Sequence, residues 1–483
     1  MSRLCHERTA AAREGADPFR GTAWSLESAA ASTLVKRRSR FLSVWLAAVL
    51  AACLLAGCGA DSGNVPVSAT DDRCSVAAQR SWLRDYMSDQ YFWYANLGMP
   101  DESAPNIDAY FRSLLYWQTD RYSFSQPTSD FLQFLSEGTR TGYGYSLVYA
   151  DASQTTLRVR FAEPFSPVGL AGLKRGDTVL TIDGYGPAQI AAGTPGSVST
   201  EGIPRSFRVV DNTGAERSFT VNSAIYPIST VPNASVLLFS ASSGPVKAGY
   251  FVYQSFIATS TGALGTVFSE FARRGVNELI VDLRYNSGGR VTVARNLASM
   301  IGGSSLDGKT FAEFRFNAKH PENNFSFPFT SNVALLPAAP LNGLNRVIVI
   351  TSPSTASASE LVINALKPFT NVVLIGGATF GKPYAFQPRD FCGTTYCAVN
   401  FEFVNALGEG GFINGIAPTC TVADDLDHQL GDINEARLAA AVNYIKTGTC
   451  PGDVTGRFAQ SAGASPRKEA VFGDQTAEQL ILD

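Results

Sequence analysis

The chain has 483 residues, 45% hydrophobic and 17% charged, with 39 Lys+Arg against 42 Asp+Glu for a formal charge of -3. That length exceeds one ordinary core and predicts two or three domains. Near charge balance argues against a nucleic-acid binder, which carries a basic patch or stripe, and the apolar fraction excludes a disordered chain. Only three histidines are present, His6, His320 and His428, which limits metal or imidazole chemistry from the outset.

The first sixty residues set the compartment. Lys36, Arg37, Arg38 and Arg40 form a basic cluster, an apolar run from Phe41 to Ala56 follows, and Gly57-Cys58 closes it. This is an export-signal pattern, and the run is short for a membrane span, which needs about 20 residues. Leu55-Ala56-Gly57-Cys58 resembles the bacterial lipobox, which implies that Cys58 is lipidated as a new N-terminus; an ordinary signal peptide or an uncleaved anchor is the alternative. Gly59, not Asp, comes next, so nothing there argues for inner-membrane retention. The expected location is the bacterial cell envelope, at the periplasmic face of the outer membrane, reached through the lipid anchor. Without the leader, residues 1–57, the chain holds 31 Lys+Arg against 38 Asp+Glu, a charge of -7. Residues 58–72, rich in Gly, Ser, Asp and Asn, read as a tether.

From 73 to 135 the apolar spacing is helical, with Trp82, Leu83, Tyr86, Met87 and Tyr91 recurring at three- and four-residue steps, so a small helical N-terminal domain is expected. From 140 to 225 the texture turns to strands. Gly142-Tyr143-Gly144-Tyr145 opens this region, and Ala171-Gly172-Leu173-Lys174-Arg175-Gly176-Asp177 runs into Val179-Leu180-Thr181-Ile182-Asp183-Gly184. The two together resemble a PDZ domain of the bacterial protease type. That resemblance implies that Gly142, Tyr143, Gly144 and Tyr145 form a loop capturing a peptide carboxylate while the peptide adds as a strand. Between 240 and 447, apolar strands at Glu278–Leu283, Val347–Thr351 and Val372–Ile375 alternate with helices at Thr261–Arg274, Val291–Met300 and Ala358–Leu366. Strands apolar throughout indicate a mostly parallel sheet covered on both faces. The whole is a multidomain α+β chain, ending in a flexible tail at 448–483.

In an oxidising compartment the cysteines should pair where geometry permits. Cys392 and Cys397 flank four residues, which suits a hairpin staple, and Cys420 and Cys450 bracket a helical segment. Cys74 is then left over. A metal site is not expected, because no Cys-x2-Cys pair or His partner supports one, and no other cofactor is implied.

Ser357 lies where a buried strand passes into an apolar helix. The free N–H groups of a helix start favour an alkoxide or oxyanion there, although a plain N-cap role suits the same position and Ser352, Ser354 and Ser359 compete for it. The next strand ends in Gly376-Gly377-Ala378-Thr379-Phe380-Gly381-Lys382. Parallel strands deliver their carboxyl ends to one edge, so Lys382 and Ser357 should meet there. A Lys held among apolar groups loses charge and can serve as a base toward a hydroxyl. Ser-His-Asp chemistry is the competitor, and neither His320 nor His428 lies beside a strand end.

The segments Ser357-Ala358-Ser359-Glu360, Thr379-Phe380-Gly381-Lys382 and Asp282-Leu283-Arg284-Tyr285-Asn286-Ser287-Gly288-Gly289 resemble the C-terminal-processing (tail-specific) serine protease family. The late Gly411–Pro418 stretch and the upstream PDZ signature point the same way. The resemblance implies a crotonase/ClpP-like α/β core, Ser357 as nucleophile, Lys382 as general base, and an oxyanion hole from the N–H groups of Ala358 and Gly288. Substrates would be proteins or peptides with exposed C-termini, and no nucleic-acid partner is expected. One position departs. The family places Gln four residues after the Lys, whereas here Phe386 stands there and Gln387 follows, a slip that turns a strand side chain to the other face unless a bulge restores it. The shifted Gln motivates the alternative of a non-catalytic PDZ-and-core protein that binds envelope peptides without cutting them.

Overall fold

The structure, a computed structural model, describes residues 72–452 and 471–473. The leader, Cys58 and the tether up to residue 71 lie outside the described residues.

Strands Gly244–Val252, Glu278–Asp282, Arg346–Thr351, Asn371–Gly376 and Cys420–Thr421 pair in parallel, and Asn233–Ala241 closes the sheet antiparallel to the first. Helices Ser260–Arg274, Val291–Gly302 and Ala358–Leu366 cover one face and Ala436–Thr447 the other. Every side chain of the Leu279–Asp282 run is buried, as expected for strands covered on both faces. A second, antiparallel sheet, built on Thr310–Phe316 and Val399–Val404, packs its Phe311, Phe314, Phe401 and Phe403 into the same core.

Residues 139–227 form a separate β unit. Strands Tyr145–Tyr149, Leu157–Ala162, Thr178–Ile182, Pro204–Val210 and Glu216–Asn222 follow one another in a sheet around Leu147, Val159, Val179, Ile182 and Phe207. The late segment Val471–Gly473, expected to be part of a flexible tail, adds to this sheet beside Tyr145–Tyr149.

The N-terminal region is helical at Val76–Gln90 and Ile107–Ser113, but it is not a free-standing domain. Leu83, Tyr86, Tyr110 and Phe111 share one apolar cluster with Tyr384, Phe386, Tyr396 and Val399, and strand Phe124–Pro127 pairs with Thr394–Cys397. About sixty residues cannot bury enough apolar surface alone to be comfortably stable, and here they borrow the edge of the core.

The disulfides require one correction. Cys420 pairs with Cys450, but Cys392 pairs with Cys74, not with Cys397. In the hairpin, Phe391 opposes Thr394 and Arg389 opposes Tyr396, so Cys392 sits in the turn while Cys397 lies beyond it on one strand. The two are not cross-strand neighbours. Cys397 is a free, buried thiol.

Candidate active site

The loop between strand Arg346–Thr351 and helix Ala358–Leu366 carries four serines, and the structure separates their roles. Ser352 Oγ donates to the Arg284 carbonyl, Ser359 Oγ donates to the Asn286 carbonyl at 3.0 Å, and Ser354 Oγ accepts from Arg160 of the β unit at 2.8 Å. All three fasten the loop. Ser357 stands at the helix start with φ 62°, a left-handed value uncommon for a residue with a Cβ. Such strain persists only where surrounding contacts hold it, and it is typical of functional turns.

Those contacts converge on Glu360. Its fully buried carboxylate accepts four hydrogen bonds: from Ser357 N (2.8 Å) and Lys382 N (2.8 Å) on Oε2, and from Thr379 Oγ1 (2.5 Å) and Gly381 N (2.7 Å) on Oε1. The backbone nitrogens of Ser357 and Lys382 therefore meet at one oxygen atom. The two strand ends expected to come together do so. Burial pushes the Glu360 carboxyl up, and the four donors oppose this.

Lys382 is 1% exposed. Desolvation holds its amine well below the usual lysine range, against the pull of Cys397, Asp120 and Glu360. The ring beneath Nζ is Phe386, 3.8 Å from its centroid. The expected orienting residue, Gln387, is not engaged. Its backbone N–H donates to Asn400 Oδ1 at 2.7 Å, and its side-chain amide makes no hydrogen bond among the described residues. A register shift does occur, between Ala385 and Phe386 against strand Val399–Val404, but it leaves Phe386 inside and Gln387 past the strand end.

Gly288 faces Ser357. A Cβ there would come within 2.8 Å of Ser357 Cβ and 3.1 Å of Ala358 N, so only glycine leaves this space open. The Gly288 N–H, expected to face an oxyanion, instead donates to Asn286 Oδ1 at 2.9 Å, because the Asn side chain turns back on its own loop. The buried Ala358 N–H makes no hydrogen bond among the described residues.

Two groups went unassigned in the sequence. Glu360 was signalled by the Ser-x-x-Glu spacing of a capping box. Nothing in the sequence signalled Arg121 and Tyr122, which grip the loop before Lys382. Arg121 Nη2 donates to the carbonyls of Phe380 (3.2 Å) and Ile413 (2.7 Å), and Tyr122 OH donates to that of Gly381 (2.8 Å). The two histidines among the described residues stand elsewhere: His320 beside Asp89 and Glu322, His428 beside Asp425. No cluster of three or more metal-ligating side chains occurs among the described residues.

Residues Gly142, Tyr143, Gly144 and Tyr145 lie in the β unit, away from this cluster, with both tyrosine side chains in that unit's core. The unit docks on the α/β core through arginines. Arg160 reaches Ser354, Arg158 pairs with Asp427 at 2.7 Å, and Arg175 pairs with Asp424 at 2.7 Å while also donating to Tyr285 OH.

Comparison with known proteins places the core. Residues 247–422 match the model of peptidase family S41. The chain is 25% identical over 299 residues to the chloroplastic C-terminal processing peptidase of Tetradesmus obliquus, covering 58% of this chain and 60% of that one. It is 25% identical over 298 residues to the carboxyl-terminal-processing protease of Picosynechococcus sp., covering 57% and 64%. The match thus spans about three fifths of the length of these relatives. A Bacteroides fragilis NCTC 9343 protein assigned to the S41 proteases shares the fold, with TM-score 0.60 and 24% identity over 76% of this chain and 97% of that one. Residues 247–422 therefore resemble peptidase family S41, and over about three fifths of its length the chain is similar to C-terminal processing peptidases.

Proposed function

We propose that the mature protein is a lipid-anchored serine endopeptidase of the bacterial envelope, at the periplasmic face of the outer membrane. It would act through a Ser357–Lys382 dyad on proteins with exposed C-termini, which the β unit would hold as a PDZ domain. The observation that carries the reading is the Glu360 carboxylate, which ties the backbones of Ser357 and Lys382 together beside a desolvated amine. Neutral Lys382 takes the Ser357 hydroxyl proton as Oγ attacks the scissile carbonyl. The Ala358 N–H, with a donor from the Gly288-Gly289 turn, stabilises the oxyanion, and such donors are worth several kcal/mol each. The Lys382 ammonium then returns its proton to the leaving amine, and the acyl group on Ser357 passes to water. The Phe386 ring in place of an amide favours the second reading, peptide capture without cleavage.

Purified mature protein should degrade an unfolded protein such as casein, and Ser357→Ala and Lys382→Ala should each lower the rate by at least about 10³-fold. Full activity in either variant would overturn the dyad. Peptide binding by wild type with no turnover would favour the second reading.

A further inference from the structure

The five strands between residues 145 and 222 form a complete antiparallel sheet in chain order, with Tyr145–Tyr149 at one edge and Glu216–Asn222 at the other. A sixth strand arrives only after the entire α/β core has been made. Val471, Phe472 and Gly473 pair antiparallel with Val148, Leu147 and Ser146. An open strand edge presents a row of backbone donors and acceptors that templates an added strand, and strand addition to such an edge is a recurring mode of peptide capture.

The direction of the added strand is informative. Running from Val471 to Gly473 it passes from Val148 back toward Ser146, and so heads for the Gly142–Tyr145 loop. A peptide whose carboxyl end is held by that loop would enter the same edge in the same direction. The approach is close. Gly473 has φ 124°, and a Cβ on it would lie 2.4 Å from the Tyr145 carbonyl oxygen. Glycine alone lets this segment reach the start of the strand.

We propose that the edge of Tyr145–Tyr149 is a peptide-binding edge whose resident occupant is this chain's own segment Val471–Gly473, which an incoming peptide must displace. This rests on the peptide-capture reading of the β unit given above. A three-residue strand makes few ladder bonds and would be weak as a free peptide, but tethering gives it an effective concentration of about 1 mM. If the free segment binds at about 0.1 mM, the intact chain's affinity for a competing peptide falls about tenfold.

The test uses the Ser357→Ala background, so that nothing is cut, and compares the full chain with Gly473→Val and with a chain lacking residues 454–483. A fluorescent peptide of sequence 466–473 and an unrelated ten-residue peptide with an apolar carboxyl end are titrated by anisotropy. Both should bind the two altered chains about tenfold more tightly than the full chain. Equal affinity of the unrelated peptide for all three would overturn the displacement and leave the capture reading standing. Binding of that peptide to none of them would remove the capture reading, and the displacement with it.

Discussion

Two of the buried cationic side chains of this protein, Arg284 and Lys382, meet opposite fates, decided by their surroundings. Arg284 is fully enclosed. It donates to both Asp282 oxygens, to Glu435 Oε1 (2.7 Å) and Oε2 (2.9 Å), and to Asp424 (3.1 Å). These carboxylates hold its pKa well above the ordinary arginine value despite burial. Lys382 is nearly as enclosed, with its amine over the Phe386 ring, and the two carboxylates that act on it are engaged elsewhere: Asp120 accepts from Tyr91 OH and from the N–H groups of Tyr122 and Ser123, and Glu360 accepts its four donors. Desolvation wins there and the amine is pushed toward neutrality. Burial alone does not specify whether a cation is structural or chemical; the availability of carboxylate oxygen does.

The largest expected effect comes from emptying the first site. Arg284→Met leaves Asp282 and Glu435 buried without their counter-charge and should cost about 3–5 kcal/mol, read by urea unfolding; a loss under about 1 kcal/mol would mean that the network is better solvated than its burial implies. Next is Glu360→Gln, which keeps the shape but sets an NH2 group against one pair of donors. A cost of about 1–3 kcal/mol falls on the alignment of Ser357 and Lys382 and should appear as a drop of about 10- to 100-fold in kcat/KM. An unchanged kcat/KM would show that the four bonds only support the fold. The smallest effect sharpens the contrast from the other side. Because the folded pKa of Lys382 is lowered, the unfolded chain binds the extra proton, and this group's contribution to stability rises with pH between its lowered pKa and the ordinary lysine value. Lys382→Met should therefore raise Tm slightly at pH 7 relative to the parent, and the gap should shrink toward pH 10. A gap that widens would show the lysine charged in the folded state.

The sequence was most readable where local pattern and chemistry coincide. The Glu278–Asp282 and Arg346–Thr351 strands are continuous apolar runs, and Ser357 and Lys382 each follow such a strand directly, so parallel pairing alone brings them to one edge. What escaped was long-range. Cys74 and Cys392 are 318 positions apart, and a hairpin-sized spacing made Cys397 look the nearer partner. The helical spacing of residues 73–135 was visible, but not that Tyr86 and Phe111 bury against strands nearly three hundred positions later. The three-residue strand at Val471 is too short for alternation to announce it.

The bond from Cys74 to Cys392 has a consequence for a protein that would work beside its own activity. It closes a covalent ring that contains the whole β unit, Gly288, Ser357 and Lys382. A single self-inflicted cut in any surface loop of that ring would open it without releasing a fragment, so Ser357 and Lys382 would stay in one disulfide-joined molecule, aligned by noncovalent packing. Such nicking would be invisible on a non-reducing gel and would appear as two bands only after reduction. In an oxidising compartment, wear on the loops need not mean loss of the protein.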